Sequence, residues 1–208
     1  MGGGSHPSRA YRYAKRAMDV VLAGAGLVVL APMIAAVALV VKLEEPSAPA
    51  LFRQERCGRG GRHFRLLKFR SMVPNASAMR EHLREMSTVP WPDFRLQNDP
   101  RVTRVGRVLR RTSLDELPQL WNVLRGEMSL IGPRPTSFHE DTYAMWQTER
   151  LDFRPGITGP WQVLGRDSMD FIERCRLEIS FFRRPSLGSD LKMLARTIAV
   201  VARRTGVA

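Results

Sequence analysis

The sequence predicts an α+β protein held at a membrane surface, with an N-terminal helix broken by a proline and a compact domain of helices plus a short β-hairpin. Three observations support this prediction: an uncharged apolar run near the N-terminus, a Gly-rich turn between two strand-like segments, and an amphipathic basic segment near the C-terminus. We expect residues 1–14 to be a disordered basic N-terminus, residues 15–43 to form the membrane helix, and residues 44–208 to form the remaining domain.

The apolar run extends from Val20 to Val41 without a charged side chain. At ~1.5 Å per residue it is long enough to cross a hydrocarbon core of ~30 Å. Basic residues flank both ends, and the positive-inside tendency therefore places both ends on the cytoplasmic side. Because Pro32 interrupts the run, we expect a monotopic, re-entrant helix that breaks near this proline. A kinked spanning helix is the alternative.

The next segments predict a hairpin and two further helices. Two short strands lie between Leu51 and Met72, joined by a Gly-rich turn from Cys57 to Arg62. Asn75 to Ser87 predicts a polar helix. Ser189 to Ala202 predicts a basic amphipathic helix that lies on anionic lipid, with packing on the domain core as the alternative. Its apolar residues recur at helical spacing: Leu191, Leu194, Ile198 and Val201.

The charge balance points to anionic partners. The chain has 33 Lys and Arg against 20 Asp and Glu, for a net charge of +13 at pH 7. Nucleic acid, anionic lipid and a phosphorylated substrate all fit this charge. A nucleic-acid-binding protein does not account for the apolar run, so we expect no nucleic-acid partner. The two cysteines and four histidines lack the spacing of a disulfide framework or a zinc site.

Two adjacent carboxylates, Asp115 and Glu116, are the most informative polar pair in this basic chain. Arginines precede and follow them, which suggests a site for a phosphorylated, metal-bound ligand. The alternative is structural, because Ser113 followed by Glu116 is also the pattern of a capping box that starts a helix. In that position a carboxylate lies near the positive end of the helix dipole, which favours its ionised form.

The chain resembles the bacterial sugar transferases, that is, the small monotopic polyprenyl-phosphate phosphoglycosyl transferases. The resemblance covers nearly the whole sequence from Lys15 to about Leu194. A single block is weak evidence, whereas the ordered set is highly specific. The blocks are Lys15-Arg16-x-x-Asp19, the apolar run with Pro32, Phe52-Arg53-Gln54-x-Arg56-x-Gly58, Lys68-Phe69-Arg70-Ser71-Met72, Asn98-Asp99-Pro100-Arg101, Ser113-Leu114-Asp115-Glu116-Leu117-Pro118-Gln119, Gly132-Pro133-Arg134-Pro135 and Arg154-Pro155-Gly156.

The resemblance implies a reaction and its setting. A sugar 1-phosphate passes from a UDP-sugar to undecaprenyl phosphate, which releases UMP and gives a lipid-linked sugar diphosphate for glycan assembly. It implies Mg²⁺ as cofactor, a re-entrant helix, and a catalytic domain at the cytoplasmic face of the bacterial inner membrane. Anionic lipid is a further expected partner, and a homodimer is left open. A membrane-anchored scaffold without catalysis is the remaining alternative class.

The resemblance also implies roles for individual residues. Asp115 resembles the nucleophile that forms a covalent phospho-sugar intermediate, and Glu116 resembles a neighbouring Mg²⁺ ligand. The rival mechanism is direct transfer, in which both carboxylates only hold Mg²⁺. Arg110 and Arg134 are the expected phosphate clamps, because the guanidinium fork binds phosphate oxygens in pairs.

Other candidate residues lie in flanking blocks. Lys68 and Arg70 resemble residues near the active site and are expected to bind substrate phosphate, with structural pairing as the alternative for Lys68 and for Asp99. The expected nucleotide or sugar loop contains three further candidates: Arg154, Gln162 and Arg166. Asp19 is expected to be structural, because Lys15 lies one helical turn before it.

Overall fold

The computed structural model describes residues 8–89, 94, 96–137, 142–164 and 169–203. It confirms the α+β class within these residues. The helices in chain order are α1 (Arg9–Val29), α2 (Ala31–Glu44), α3 (Ala76–His82), α4 (Arg104–Thr112), α5 (Gln119–Arg125), α6 (Pro160–Val163), α7 (Phe171–Phe182) and α8 (Leu187–Ala202). The strands are β1 (Leu51–Cys57), β2 (His63–Phe69), β3 (Ser129–Ile131) and β4 (Gly156–Thr158).

The first helix begins earlier than the sequence predicted. Ser8 caps α1 by accepting a hydrogen bond from the Tyr11 amide at 3.1 Å, so the helix starts at Arg9 and residues 9–14 are not disordered. A cap of this kind satisfies one of the free amides of the first turn. Residues 1–7 of the predicted disordered segment lie outside the described part of the chain.

The apolar run bends between α1 and α2 by 63°. The break lies at Leu30, and Pro32 occupies the first turn of α2, where a missing amide hydrogen removes no helical hydrogen bond. In the described part of the chain, no single helix is long and apolar enough to cross a membrane. The bent pair meets that requirement together by length and composition. Re-entry into a membrane therefore stays a prediction.

The N-terminal half of α1 is tied to the domain by buried polar contacts. Lys15 Nζ lies 3.2 Å from Asp190 and 3.9 Å from Asp19, which confirms the expected pairing within the helix. Asp19 also accepts a hydrogen bond from the Leu130 amide at 3.0 Å. Arg16 donates to two backbone carbonyls in the last turn of α5, at 2.6 and 2.7 Å. The apolar half of α1 therefore continues from a part of the helix that is fixed on the domain.

The predicted hairpin is present, and a second strand pair was not predicted. Strands β1 and β2 are antiparallel with Leu51 opposite Phe69, and the turn contains Gly60 and Gly61 at positive φ. Strands β3 and β4 form a short parallel pair whose partners lie far apart in sequence. The predicted polar helix over residues 75–87 is shorter, because it consists of α3 followed by a separate 3₁₀ turn at Arg84–Met86.

The core has two parts that meet at the hairpin. The larger one joins α1, β2, α5, β3, α7 and α8 around buried apolar side chains: Ala23, Phe64, Leu66, Val123, Met128, Leu130, Ile131, Phe182 and Met193. The smaller one packs Val41 of α2 against Phe69 and Leu109. Strand β2 contributes to both parts, through Phe64 and Leu66 in the larger and Phe69 in the smaller.

Helix α8 is amphipathic, and only one of its faces packs on the domain. Met193 is buried in the core, whereas Leu191 and Ile198 are 53% and 65% exposed. The helix begins at Ser186, whose hydroxyl accepts a hydrogen bond from the Ser189 amide at 3.1 Å. An exposed apolar stripe on a basic helix is typical of a helix at a lipid interface. The core packing predicted as the alternative is thus present on the opposite face.

Candidate active site

The two adjacent carboxylates lie in a tight turn between two helices. Ser113 has a φ of 57° and ends α4, and its amide donates to the Arg110 carbonyl at 3.2 Å. A 3₁₀ turn, Leu114–Glu116, follows. The predicted capping box is therefore wrong: Ser113 is in the left-handed region, and its side chain makes no capping hydrogen bond. Helix α5 begins only after Pro118, so the carboxylates precede its first turn.

Two cations from distant parts of the chain meet Glu116. Lys68 Nζ on β2 lies 2.8 Å from Glu116 Oε1, and Arg134 Nη2 lies 3.2 Å from the same oxygen. Asp115 is less engaged, because its Oδ2 lies 4.0 Å from Lys68 Nζ. The other oxygen of each carboxylate accepts no hydrogen bond from the residues that the structure describes. These oxygens are available for a ligand.

The electrostatic environments of the two carboxylates differ. Burial raises the pKa of Asp115, although Lys68 and two arginines act in the opposite direction. Burial also acts to raise the pKa of Glu116, but the charges and hydrogen bonds of Lys68 and Arg134 lower it to about 2. Glu116 is therefore ionised at every physiological pH, and Asp115 is a desolvated carboxylate with a more basic oxygen.

Arg110 reaches the same cleft from the last turn of α4. Its Nε donates to Ser71 Oγ at 3.0 Å, and burial lowers its pKa, whereas the charges of Asp115 and Asp99 raise it. Helix α4 can approach Ser71 because residue 106 is glycine. A Cβ at Gly106 would lie 2.1 Å from the Ser71 carbonyl oxygen, which is far closer than any side chain allows.

Arg134 is held by a buried ion pair behind it. Its amide donates to Glu178 Oε1 at 2.8 Å, and its carbonyl accepts from Arg150 Nη2, also at 2.8 Å. Arg150 and Glu178 pair with each other at 2.6 Å, and both are buried. The guanidinium carbon of Arg134 also lies 5.7 Å from the centre of the Trp161 ring. These contacts fix the backbone from which Arg134 reaches Glu116.

A cleft of about 1400 Å³ brings these groups together. Seven predicted site residues line it: Lys68, Arg70, Arg110, Asp115, Glu116, Arg134 and Gln162. Arg70 donates its Nε to the Pro49 carbonyl at 2.9 Å, so part of its guanidinium has a structural contact. Lys68 pairs with Glu116, as the structural alternative predicted, and it also lines the cleft, so its expected role in binding substrate phosphate stays a prediction. Asp99 pairs with Arg101 at 2.7 Å, as the structural alternative predicted.

The predicted nucleotide or sugar loop is only partly in the cleft. Gln162 lines it, and the Gln162 Nε2 donates to the Ile157 carbonyl at 3.1 Å. Arg154 does not line the cleft, because its nearest charges include Arg16 and Arg59 on another side of the domain. Arg166 lies outside the described residues.

Several site residues were missed by the sequence analysis. Arg56 and Trp161 line the cleft, and Arg150 and Glu178 support Arg134. One sequence signal was present for Glu178, since a carboxylate at this position shares the helical face of the apolar residues Cys175 and Phe182. No local pattern connects Arg150 to its partner, because the pair forms only when α7 packs on the 3₁₀ segment Met145–Asp152.

Comparison with known proteins finds relatives that match nearly the whole chain. The sequence pattern of the bacterial sugar transferases matches residues 10–204. The chain is 44% identical over 207 residues to a UDP-glucose:undecaprenyl-phosphate glucose-1-phosphate transferase of Caulobacter vibrioides, covering 94% of this chain and 72% of that protein. It is 40% identical over 203 residues to an undecaprenyl-phosphate galactose phosphotransferase of Salmonella typhimurium, covering 95% of this chain and 42% of that protein.

A shorter relative aligns over most of its own length. The exopolysaccharide production protein ExoY of Rhizobium meliloti is 36% identical over 200 residues, which cover 93% of this chain and 87% of ExoY. The chain spans less than half the length of several longer relatives, as the 42% coverage of the Salmonella protein shows. Because the matched pattern extends over nearly the whole sequence, the chain belongs to the bacterial sugar transferase family.

Proposed function

We propose that this chain transfers a sugar 1-phosphate from a UDP-sugar to undecaprenyl phosphate, through a covalent intermediate on Asp115. The observation that carries the proposal is the unequal carboxylate pair: Glu116 is neutralised by Lys68 and Arg134, whereas Asp115 keeps free oxygens toward a basic cleft. The names of the Caulobacter and Salmonella relatives support the two substrates. The product, a lipid-linked sugar diphosphate, would begin glycan assembly.

In the first half-reaction, an Asp115 carboxylate oxygen forms a bond to the phosphorus that carries the sugar. The bond from that phosphorus to the bridging oxygen of the diphosphate breaks, and UMP leaves with the electron pair. Arg110 and Arg134 are placed to neutralise the negative charge that repels the carboxylate. In the second half-reaction, a phosphate oxygen of the lipid attacks the same phosphorus and restores the Asp115 carboxylate.

The carboxylate pair fits a Mg²⁺ ion. Mg²⁺ in phosphoryl-transfer sites is held by one or two carboxylates together with substrate phosphates and water. Asp115 and Glu116 supply such a pair, and no cage of three or more acidic, His or Cys ligands lies within the described residues. When bound there, the ion would offset charge on the diphosphate. Lys68 and Arg134 would orient Glu116 as its ligand.

Membrane attachment is part of the proposal, because the acceptor is a lipid. The bent pair α1 and α2 exposes large apolar side chains, with Val28 78% and Leu43 69% exposed. Helix α8 exposes Leu191 and Ile198 on one face. We infer that α1 and α2 enter and leave one leaflet and that α8 lies on the cytoplasmic surface of the inner membrane. This arrangement would present the cleft to the head group of the lipid.

Covalent labelling tests the proposal directly. The full chain in detergent, given UDP-sugar labelled in the sugar and Mg²⁺ but no lipid, should retain label and release about one UMP per active site. Asp115→Asn should abolish the label, because an amide is a far poorer nucleophile. Glu116→Gln should lower the rate and weaken the dependence on Mg²⁺. A panel of UDP-sugars in the same assay would identify the donor.

Two controls separate chemistry from folding. Glu81→Gln changes an exposed carboxylate on α3 that lies outside the cleft, and it should label like the unmodified protein. Because burial raises the pKa of Asp115, its ionised form disfavours the folded state, so Asp115→Asn should not lower the melting temperature at neutral pH. Label on Asp115→Asn, or no label on an enzyme that is active with lipid, would contradict the covalent mechanism.

A further inference from the structure

Arg56 faces the cleft from strand β1, next to the candidate active site. Side chains alternate between the two faces of a strand, and Phe52, Gln54 and Arg56 all line the cleft. Arg53 lies on the opposite face of the same strand and is exposed. The side chain of Arg56 is therefore directed into the site by strand geometry.

The guanidinium of Arg56 is held next to the Arg134 segment. The amide of Cys57 donates to the Thr136 carbonyl at 3.1 Å, which ties the end of β1 to this segment. Arg56 Nη1 lies 3.4 Å from the Pro135 carbonyl, a long contact. Arg56 and Arg134 therefore lie on either side of the contact between Cys57 and Thr136, and both face one part of the cleft.

Arg56 has unused hydrogen-bond donors. A guanidinium carries five N–H groups. Within the described residues, Arg56 donates to Gln54 Oε1 at 2.6 Å and weakly to Pro135, and it makes no ion pair with a carboxylate. Its buried Nε has no hydrogen-bond partner among those residues. A partly buried guanidinium without a carboxylate partner has a strong requirement for an anion.

The charges around Arg56 are mostly of the same sign. Burial lowers its pKa to about 10, and the charges of Arg134 and Arg80 act in the same direction, while Tyr143 and Glu116 oppose them. Arg134 already pairs with Glu116. An added dianion would relieve the repulsion between these arginines and would accept hydrogen bonds from Arg56.

We propose that Arg56 and Arg134 form one subsite for a phosphate monoester dianion, which the UMP phosphate occupies in the first half-reaction and the lipid phosphate occupies in the second. This proposal rests on the proposed function. In an in-line displacement, the leaving oxygen departs opposite the attacking Asp115 oxygen. The lipid oxygen must later attack the same phosphorus opposite the bond to Asp115, so it enters where UMP left. A single subsite therefore serves both phosphates.

Direct binding of UMP tests the subsite without any chemistry. Titration calorimetry of the full chain in detergent with UMP should show at least about tenfold weaker binding for Arg56→Gln, as expected for loss of a charged hydrogen bond. Arg53→Gln removes the same charge from the opposite face of β1 and should bind UMP normally. Arg56→Lys keeps the charge without the fork and should give an intermediate affinity. Unchanged affinity in folded Arg56→Gln and Arg56→Lys would overturn the subsite.

The sharing of the subsite is tested by separate half-reactions. Arg56→Gln should slow both the UMP burst without lipid and the discharge of label by undecaprenyl phosphate. Slowing of only one step would overturn the shared site. In the unmodified enzyme, UMP should compete with undecaprenyl phosphate as well as with UDP-sugar, whereas competition with UDP-sugar alone would indicate two separate phosphate sites. These outcomes are distinct from failure of the proposed function, which would appear as no label on the active unmodified enzyme.

Discussion

At the scale of single residues, two neighbouring carboxylates acquire different roles from their surroundings. One carboxylate oxygen of Glu116 pairs with Lys68 and Arg134, at 2.8 and 3.2 Å. Asp115 is buried at 4.0 Å from Lys68, so its oxygens stay free while desolvation raises its pKa. A more basic, unpaired carboxylate is the better nucleophile, and a firmly ionised one is the better metal ligand.

The raised pKa of Asp115 predicts an acid limit to activity. The carboxylate must be ionised to attack, so the rate of the UMP burst should fall as the pH falls through this pKa. Lys68→Met removes the charge that most strongly lowers the pKa of Asp115, so the acid limit should move to higher pH. The burst rate measured against pH checks this. Lys192→Met, an exposed change on α8, should leave the limit in place.

Arginine geometry gives a second prediction. Arg110→Lys and Arg134→Lys keep the charge but lose the planar fork, so neither should restore full activity. Loss of one well-placed transition-state contact lowers the rate by about 10²- to 10³-fold, and initial rates of UMP release would show it. Arg104→Lys on the exposed side of α4 is the matched control. Full activity of both lysine variants would mean that these arginines act only through their positive charge.

At the scale of elements, the site depends on close contacts that fix the segments behind its arginines. Helix α7 supplies Glu178, which holds the amide of Arg134, and α4 packs directly on Ser71 through Gly106. Both contacts set the direction of an arginine that faces the cleft. The packing of the elements thereby determines the distance between guanidinium groups and carboxylates.

Removing the support behind Arg134 should affect both stability and rate. Glu178→Gln leaves Arg150 buried without its carboxylate partner, a change that typically destabilises by about 3–5 kcal/mol. We expect a lower melting temperature and a lower rate of UMP release, because the single carbonyl oxygen of glutamine cannot accept from both the Arg134 amide and Arg150. Glu149→Gln removes the exposed partner of Arg183 and should change neither quantity appreciably. Equal effects of the two variants would contradict the support role.

Gly106 gives a steric prediction. In Gly106→Ala the new methyl group would meet the Ser71 carbonyl at 2.1 Å, so α4 must shift and carry Arg110 away from its hydroxyl partner. We expect lower activity and a lower melting temperature. Gly188→Ala is the control, because nothing lies within 4 Å of the added carbon in α8. If Gly106→Ala were fully active, the close approach of α4 would not matter for the site.

At the scale of the whole molecule, the bend between α1 and α2 would determine, in the proposed membrane arrangement, which side of the membrane the domain occupies. The N-terminal half of α1 is bound to α8 and β3 through Lys15 and Asp19, so α1 and the domain share one position. If α2 returns to the leaflet that α1 enters, the N-terminus and the cleft lie on the same face of the membrane.

Site-specific labelling checks this topology. Ser5→Cys and Ser180→Cys should both react with an impermeant thiol reagent only from the cytoplasmic side of oriented vesicles. The natural cysteines, Cys57 and Cys175, are buried and provide the unreactive background. Reaction of the two positions from opposite sides would contradict re-entry. Pro32→Ala should favour a straighter helix and shift part of the population toward a spanning form.

The sequence by itself determined the local features. Alternating side chains and a Gly-rich turn specify the hairpin. Pro32 predicts a helix break, and the observed break at Leu30 lies within two residues of it. The hairpin and the break both depend on the backbone geometry of neighbouring residues. The position of Asp115 and Glu116 in a basic chain was likewise evident from composition. Two helix boundaries differed: Ser8 supplies a cap for α1 that the prediction did not use, and the polar helix after the hairpin ends at His82.

The tertiary structure decided which groups meet. Lys68, Arg56 and Arg134 come from distant segments, and no periodicity in the sequence specifies that β2, β1 and the segment after β3 face one cleft. The left-handed Ser113, the β3 and β4 pair, and the Arg150–Glu178 support also require packed elements. Local patterns encode interactions between near neighbours, whereas a charged site forms only when burial brings remote side chains within a few ångströms of each other.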